Sequence, residues 1–306
     1  MTPTEYKALY DGLRIFRAGG HSKTVSISRY RMAGTGGMPG GRAAAAWTAL
    51  SSALTTKFGA HPPYKKIEDV DLMVGTAHDL EQVDADFTAT KDFRYLLLLP
   101  FVGKGAPEHC QLVLQLIQYL GLETDPQKYA DNSLGLDCNG WTGNYIRHGF
   151  GSANWQDHGI NGKGINPETL VKDFLDGNQA RRVKNWTDMA PGTRYVLVRT
   201  NDHGQVITAN TGTDIGHVLI TDITAGTLSA TTPIHIVEAT GTHKPPKDNT
   251  RDFGGGLVTS DYKLVQEFNK GKHNAFFKID RGGTDYWAHS VLYFAIAGIS
   301  PAPQAG

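Results

Sequence analysis

The chain has 306 residues, with 30 lysines and arginines balanced by 30 aspartates and glutamates. Zero formal net charge offers no electrostatic attraction to nucleic acid or to an anionic membrane. Two cysteines exclude a disulfide scaffold and a cysteine-paired zinc site, and the longest apolar run, YLLLLPFV, is too short to cross a bilayer. We therefore expect a globular, loop-rich chain without a membrane span or a nucleic-acid partner.

The N-terminus predicts a helix over residues 2–18. Thr2 and Glu5 have the spacing of a capping box, and Pro3 stands at the first helical position. This segment has no uninterrupted apolar core of the kind found in secretory signals, so the sequence predicts a cytoplasmic protein. Delivery to a target cell's periplasm by a signal-independent route is the alternative.

The next elements are a strand in TVSISRYRM, a glycine-rich loop or hinge at 33–41, and an alanine-rich helix over 42–56. We assign residues 1–105 to an N-terminal region of unknown role. It is either a packing extension of the following domain or a targeting, substrate-binding or inhibitory region.

Residues 106–306 predict a second unit, in which helices precede strands. An amphipathic helix is expected at 107–121, a polar loop at 123–135, a helix beginning near Cys138, and another helix at 165–177. Six strands are predicted after it, at 194–200, 205–210, 217–223, 234–239, 274–280 and 290–297. Helices followed by consecutive strands are typical of an α+β domain with a largely antiparallel sheet.

Cys138 has the local setting of a nucleophile. A free cysteine carries little thiolate at neutral pH, and a helix N-terminus or a nearby histidine increases that fraction. Gly135 interrupts the preceding structure and Asp137 is a suitable N-cap, which places Cys138 in the first helical turn. A buried structural cysteine remains the alternative, and it is our interpretation of Cys110, which lies within a helical pattern.

His217 is the best-placed candidate base, because it opens a predicted strand that can face the helix of Cys138. Glu238 and His235 lie on the following strand and are the candidates for the third residue, which would orient the imidazole. They are three residues apart, so a regular strand places them on opposite faces.

Four segments in this order resemble the NlpC-type cysteine peptidases, bacterial cell-wall hydrolases related to the CHAP amidases. LDCNGWTGNYI resembles their nucleophile motif, MAPGTRYVLV their turn before the first strand, GHVLITDI their histidine strand, and IVEATG the strand of the third polar residue. Asn139 replaces the usual serine after the nucleophile, and many members have histidine where this chain has Glu238.

The resemblance implies a papain-like α+β fold, with the nucleophile helix packed on a mostly antiparallel sheet and an N-terminal extension. It also implies a catalytic triad of Cys138, His217 and Glu238, with His235 as the alternative third residue. Further candidates for the substrate cleft or the oxyanion site are Tyr129, Asn139 and Trp155.

The implied function is hydrolysis of an amide bond in bacterial peptidoglycan stem peptides, with no metal or organic cofactor. The enzyme would be a delivered antibacterial toxin or a phage lysis enzyme, with an immunity or delivery protein as partner. Two alternatives stay open: an acyltransferase or deamidase with the same triad, and a non-catalytic binding or structural module.

Overall fold

The computed structural model describes residues 1–16, 21–33, 35–59, 93–149, 180–207, 216–223, 226, 228–241, 256–281 and 291–299. The α-helices in these ranges are α1 (Pro3–Asp11), α2 (Gly41–Phe58), α3 (Phe93–Leu98), α4 (Pro107–Tyr119), α5 (Pro126–Ser133) and α6 (Cys138–Asn144). The strands are β1 (Leu13–Phe16), β2 (Ser22–Val25), β3 (Ala180–Arg182), β4 (Arg194–Thr200), β5 (Val218–Asp222), β6 (Ile234–Thr240), β7 (Gly256–Phe268), β8 (Phe276–Asp280) and β9 (Val291–Ile299). In this part of the chain no helix is both long and apolar enough to span a membrane.

Six strands form a closed antiparallel barrel. They follow the order β9-β4-β5-β6-β7-β8, and pairing of β8 with β9 closes the ring. The short β3 pairs with the end of β9 at Ala297–Ile299, beyond the residues of β9 that pair with β8, while β1 and β2 form a separate two-stranded sheet. Closure satisfies the backbone groups that an open sheet would leave at its edges.

The predicted papain-like fold, with a helix packed on a mostly antiparallel sheet, is therefore wrong. The expected strands β4, β5, β6, β8 and β9 are present, but the sheet they form is a closed barrel. The reason is β7, which the sequence analysis did not predict. This long strand pairs with β6 on one side and with β8 on the other, and so joins the two ends of the sheet.

Alternating side chains of the barrel strands lie in two different hydrophobic cores. On β4, Leu197 belongs to the core inside the barrel, whereas Val196 and Val198 belong to the core between the barrel and the helices. This follows from the two-residue period of a strand. The helix α6 packs on the outer face, where the indole N–H of Trp141 donates to the carbonyl of Val237 at 3.0 Å.

The described parts of the N-terminal region pack into the core between the barrel and the helices, together with α4 and α6. The capping box of Thr2 and Glu5 is confirmed, but α1 ends at Asp11. The helix predicted beyond it is wrong at β1, since Leu13 and Ile15 are buried in the alternating pattern of a strand.

Two other predicted segments also differ from the structure. The expected polar loop at 123–135 contains α5, which Asp125 caps by accepting from the backbone N–H groups of Gln127 and Lys128. Of the expected strand at 205–210, residues 205–207 are described, and there Val206 forms an isolated bridge with Thr200. Residues 208–210 lie outside the described residues. The helix predicted at 165–177 lies outside the described residues.

Candidate active site

Cys138 is the first residue of α6, and Asp137 fixes the start of this helix. The Asp137 carboxylate accepts from the Gly140 backbone N–H at 2.6 Å, and it also binds the Lys104 ammonium at 2.6 Å. Gly140 is required here because a Cβ atom would lie 1.9 Å from the carbonyl oxygen of Gly103. Cap and close approach together hold Cys138 against the barrel, with only 5% of the residue exposed.

The pairing of β5 with β6 brings His217 and Glu238 together. Ile220 pairs with Val237, and continuing this antiparallel register places Glu238 opposite Leu219. His217 immediately precedes β5, two residues from Leu219 and therefore on the same face, so the two side chains are diagonal neighbours. The His217 Nε2 atom lies 2.5 Å from the Glu238 Oε2 atom.

Glu238 is held as a buried carboxylate by three donors. Besides His217, the Tyr262 hydroxyl donates to its Oε1 atom, and the Arg281 guanidinium donates to both oxygens at 3.2 and 3.1 Å. Burial alone would raise the pKa of Glu238, but the charge of Arg281 and the hydrogen bonds from His217 and Tyr262 lower it to about 2. The carboxylate is thus ionised throughout the physiological range.

His217 is stabilised in its charged form. Burial lowers the pKa of the imidazole, but hydrogen bonds with Cys138 and Glu238 outweigh this effect and raise the pKa to about 9. Since Nε2 faces Glu238, Nδ1 is the nitrogen left for the Cys138 sulfur. An imidazole between a thiol group and a carboxylate can accept a proton from the thiol, and as an imidazolium it can later donate one.

A second side chain also reaches the sulfur. The Tyr30 hydroxyl hydrogen-bonds with Cys138, and only 9% of the tyrosine is exposed. Sequence reasoning did not identify Tyr30. The strand predicted in TVSISRYRM indicated a backbone able to pair, but no local pattern shows which distant segment it meets.

His235, the alternative third residue of the triad, does not contact His217 in the structure and lies on the other face of β6. Its side chain is 42% exposed, and its Nδ1 atom lies 3.0 Å from an oxygen of Asp261, the residue opposite on β7. Glu238 is only 1% exposed. The opposite orientation of the two side chains follows from their three-residue spacing on β6.

The remaining sequence candidates have other surroundings or are not described. Tyr129 donates from its hydroxyl to the carbonyl of Ala46 in α2 at 3.4 Å, and its ring packs edge-on against Phe101. Asn139 follows Cys138 in α6 and is partly buried, with its side-chain oxygen shielded from solvent. Trp155 lies outside the described residues.

Across the residues that the structure describes, no group of three histidine, cysteine or acidic side chains is arranged to hold a metal ion. The site as described consists of a thiol, an imidazole, a carboxylate and the donors around them. Comparison with known proteins adds no family to this description: no family model, no curated protein and no solved structure matches the chain.

Proposed function

We propose that this protein is a cysteine hydrolase that cleaves an amide bond, with Cys138 as the nucleophile. The observation that carries the proposal is the position of His217, which hydrogen-bonds with Cys138 and, through its other side, with the ionised Glu238. Nucleophile, base and orienting carboxylate in one chain of hydrogen bonds are the arrangement that covalent acyl transfer requires.

The reaction begins when the Cys138 thiolate attacks the amide carbonyl carbon. The backbone N–H of Cys138, in the first helical turn, has no partner within the helix and is the candidate donor to the developing oxyanion. The His217 imidazolium then gives its proton to the departing amine, which leaves a thioester on Cys138. Water, deprotonated by His217, hydrolyses the thioester and restores the thiolate and the imidazolium.

Glu238 orients the imidazole and balances its positive charge. It remains ionised because Arg281 donates to both of its oxygens and Tyr262 donates to Oε1. The carboxylate therefore has no need to take up a proton during the cycle. This division of roles is the same as in other nucleophile–histidine–carboxylate triads.

Peptidoglycan stem peptides are the substrate we propose. The support is the resemblance of the segments around Cys138, His217 and Glu238 to cell-wall hydrolases. Purified peptidoglycan is digested with the protein, and the fragments are identified by mass spectrometry, with Cys138→Ala as the inactive control. New termini at one peptide bond support the substrate. Absence of cleavage in an enzyme that hydrolyses other amides would reject it.

Delivery and protection follow from this substrate. A wall hydrolase made in the cytoplasm must reach the periplasm to act, and a producing cell that it can reach needs an immunity partner. Expression with an added periplasmic export signal should lyse a bacterial host, whereas cytoplasmic expression should be tolerated. Lysis by exported Cys138→Ala would contradict a catalytic cause.

A further inference from the structure

The N-terminal region reaches the nucleophile through a short backbone ladder. Tyr30 forms a parallel bridge with Leu136, two residues before Cys138. The Leu136 N–H donates to the Arg29 carbonyl at 2.9 Å, and the Arg31 N–H donates to the Leu136 carbonyl at 3.0 Å. These bonds fix the segment 29–31 beside the nucleophile.

Close packing reinforces this ladder. A Cβ atom on Gly135 would lie 2.6 Å from the carbonyl oxygen of Arg29, so the two backbones approach as far as glycine permits. On the other side of Leu136, Lys104 forms an antiparallel bridge. The backbone of Tyr30 is therefore fixed beside Cys138 by hydrogen bonds and close packing on both sides of Leu136.

The Tyr30 hydroxyl acts as a donor to the sulfur. Burial, together with the nearby negative charges of Cys138, Asp137 and Glu238, raises the pKa of Tyr30 well above its ordinary value. The phenol keeps its proton and can give a hydrogen bond to the thiolate. His217 supplies the second hydrogen bond.

We propose that Tyr30 is a positioning residue of the active site, whose hydroxyl holds the Cys138 sulfur and favours its anionic form. The N-terminal region is consequently part of the catalytic unit. This inference rests on the proposed function. The other charged groups around the sulfur are His217 from the start of β5, Glu238 with Arg281 from the barrel, and Asp137 with Lys104 at the start of α6.

The test compares Tyr30→Phe with a matched variant, Tyr10→Phe. Tyr10 is also buried and N-terminal, but its hydroxyl donates to the carbonyl of Gly105 at 3.0 Å. Alkylation of Cys138 by iodoacetamide is followed by mass spectrometry from pH 5 to 10. Tyr30→Phe should slow alkylation at pH 6–7 about tenfold and move the rise in rate to higher pH, because a hydrogen bond to a charged group is lost. Tyr10→Phe should follow the wild-type profile.

His217→Ala separates failure of this inference from failure of the proposed function. A wild-type profile for Tyr30→Phe, together with slowed alkylation in His217→Ala, would overturn the role of Tyr30 alone. Wild-type profiles in both variants would overturn the paired thiolate and the inference with it. If Tyr30→Phe does not fold, Gly135→Ala, which keeps the tyrosine but displaces the segment 29–31 that carries it, should shift the profile in the same direction. An unshifted profile in a folded Gly135→Ala variant would then reject the inference.

Discussion

The two cysteines of this protein lie near the starts of two helices, Cys110 in α4 and Cys138 in α6. Both are free and buried, with exposures of 0% and 5%. Their polar surroundings differ. The sulfur of Cys110 has the carbonyl of Gly105 at 3.9 Å, whereas that of Cys138 has hydrogen bonds with His217 and Tyr30.

The surroundings of Cys110 favour the protonated thiol. Burial raises the pKa of the Cys110 thiol, and the negative charge of Glu108 raises it further, so this cysteine stays protonated. The Cys138 sulfur instead has the imidazole of His217 and the phenol of Tyr30 as hydrogen-bond partners. Burial and a place near a helix start are common to the two sites, so the donors around the sulfur are what distinguish a nucleophile from a packing residue.

The largest expected effect comes from exchanging each cysteine for alanine. Cys138→Ala should lower amide hydrolysis by about 10³-fold or more, because no other group can form the covalent intermediate. Cys110→Ala should keep catalysis close to wild type, since its sulfur only packs. Initial rates of peptide release give the comparison, and circular dichroism checks both folds. Activity that survives in Cys138→Ala and disappears in Cys110→Ala would reverse the assignment.

Glu238→Gln tests what the carboxylate behind His217 contributes. The rate should fall about 10- to 1,000-fold, since the amide can accept a hydrogen bond but cannot balance the imidazolium. His217 has a pKa of about 9 because Cys138 and Glu238 favour its charged form. Removing the negative charge lowers that pKa, so the fall of kcat/KM at high pH should begin at lower pH.

Asp261→Asn is the matched control for this measurement. It removes a carboxylate from another histidine of the same barrel, but the pair of Asp261 with His235 is largely exposed. The high-pH limb should stay in place in this variant. If the high-pH limb moved in Asp261→Asn and not in Glu238→Gln, the group that controls it would be His235 and not His217.

Replacing Arg281 tests how much the buried charges next to His217 contribute to stability. Its guanidinium is 8% exposed and lies 3.1 Å from Glu238, so Arg281→Met leaves a buried carboxylate without its main counter-charge. The free energy of unfolding should fall by about 3–5 kcal/mol. Urea denaturation gives this value. A loss no larger than that of an exposed pair, about 0–1 kcal/mol, would show that Glu238 is well solvated.

The same network makes stability depend on pH. His217 has its pKa raised from 6.5 to about 9, so its contribution is complete below pH 6.5 and disappears as the pH rises through about 9. Glu238 has its pKa lowered from 4.5 to about 2, so its contribution is complete above pH 4.5 and disappears as the pH falls through about 2. The urea midpoint of the wild type should therefore decrease as the pH rises from 6.5 to 10. In Glu238→Gln the decrease should be smaller. An equal pH dependence of the urea midpoint in both proteins would show that the pair of His217 and Glu238 does not contribute to the stability of the fold.

Local signals predicted much of the chain, and pairing between distant segments explains most of what they missed. The apolar run of β4 and the capping residue Asp137 are readable in sequence, because strand burial and helix capping involve near neighbours. The three-residue spacing of His235 and Glu238 likewise predicted that they face opposite ways.

Barrel closure and the place of Tyr30 have no such signal. Closure needs β7, whose sequence GLVTSDYKLVQEF mixes polar and apolar residues without a clear boundary, and it needs β8 to find β9. Tyr30 meets Leu136 through a bridge across most of the N-terminal region and α4. Neither contact follows from periodicity within one segment.

The smallest expected effect is that of replacing Tyr129. This prediction compares Tyr129 with Tyr30, as the first one compares the two cysteines. The resemblance to cell-wall hydrolases made it a candidate for the cleft, but its hydroxyl donates to the carbonyl of Ala46 at 3.4 Å, and Tyr30 is the tyrosine that contacts the sulfur. Tyr129→Phe removes a long hydrogen bond that contributes about 1 kcal/mol or less to stability.

Its kcat/KM should therefore stay within about twofold of wild type, with an unchanged pH profile of Cys138 alkylation. Steady-state kinetics beside Tyr30→Phe provide the measurement. A large loss in Tyr129→Phe with normal activity in Tyr30→Phe would show that the working enzyme draws its tyrosine from α5. The segment 29–31 would then only pack around the site, and Tyr129 in α5, not Tyr30, would be the tyrosine that catalysis requires.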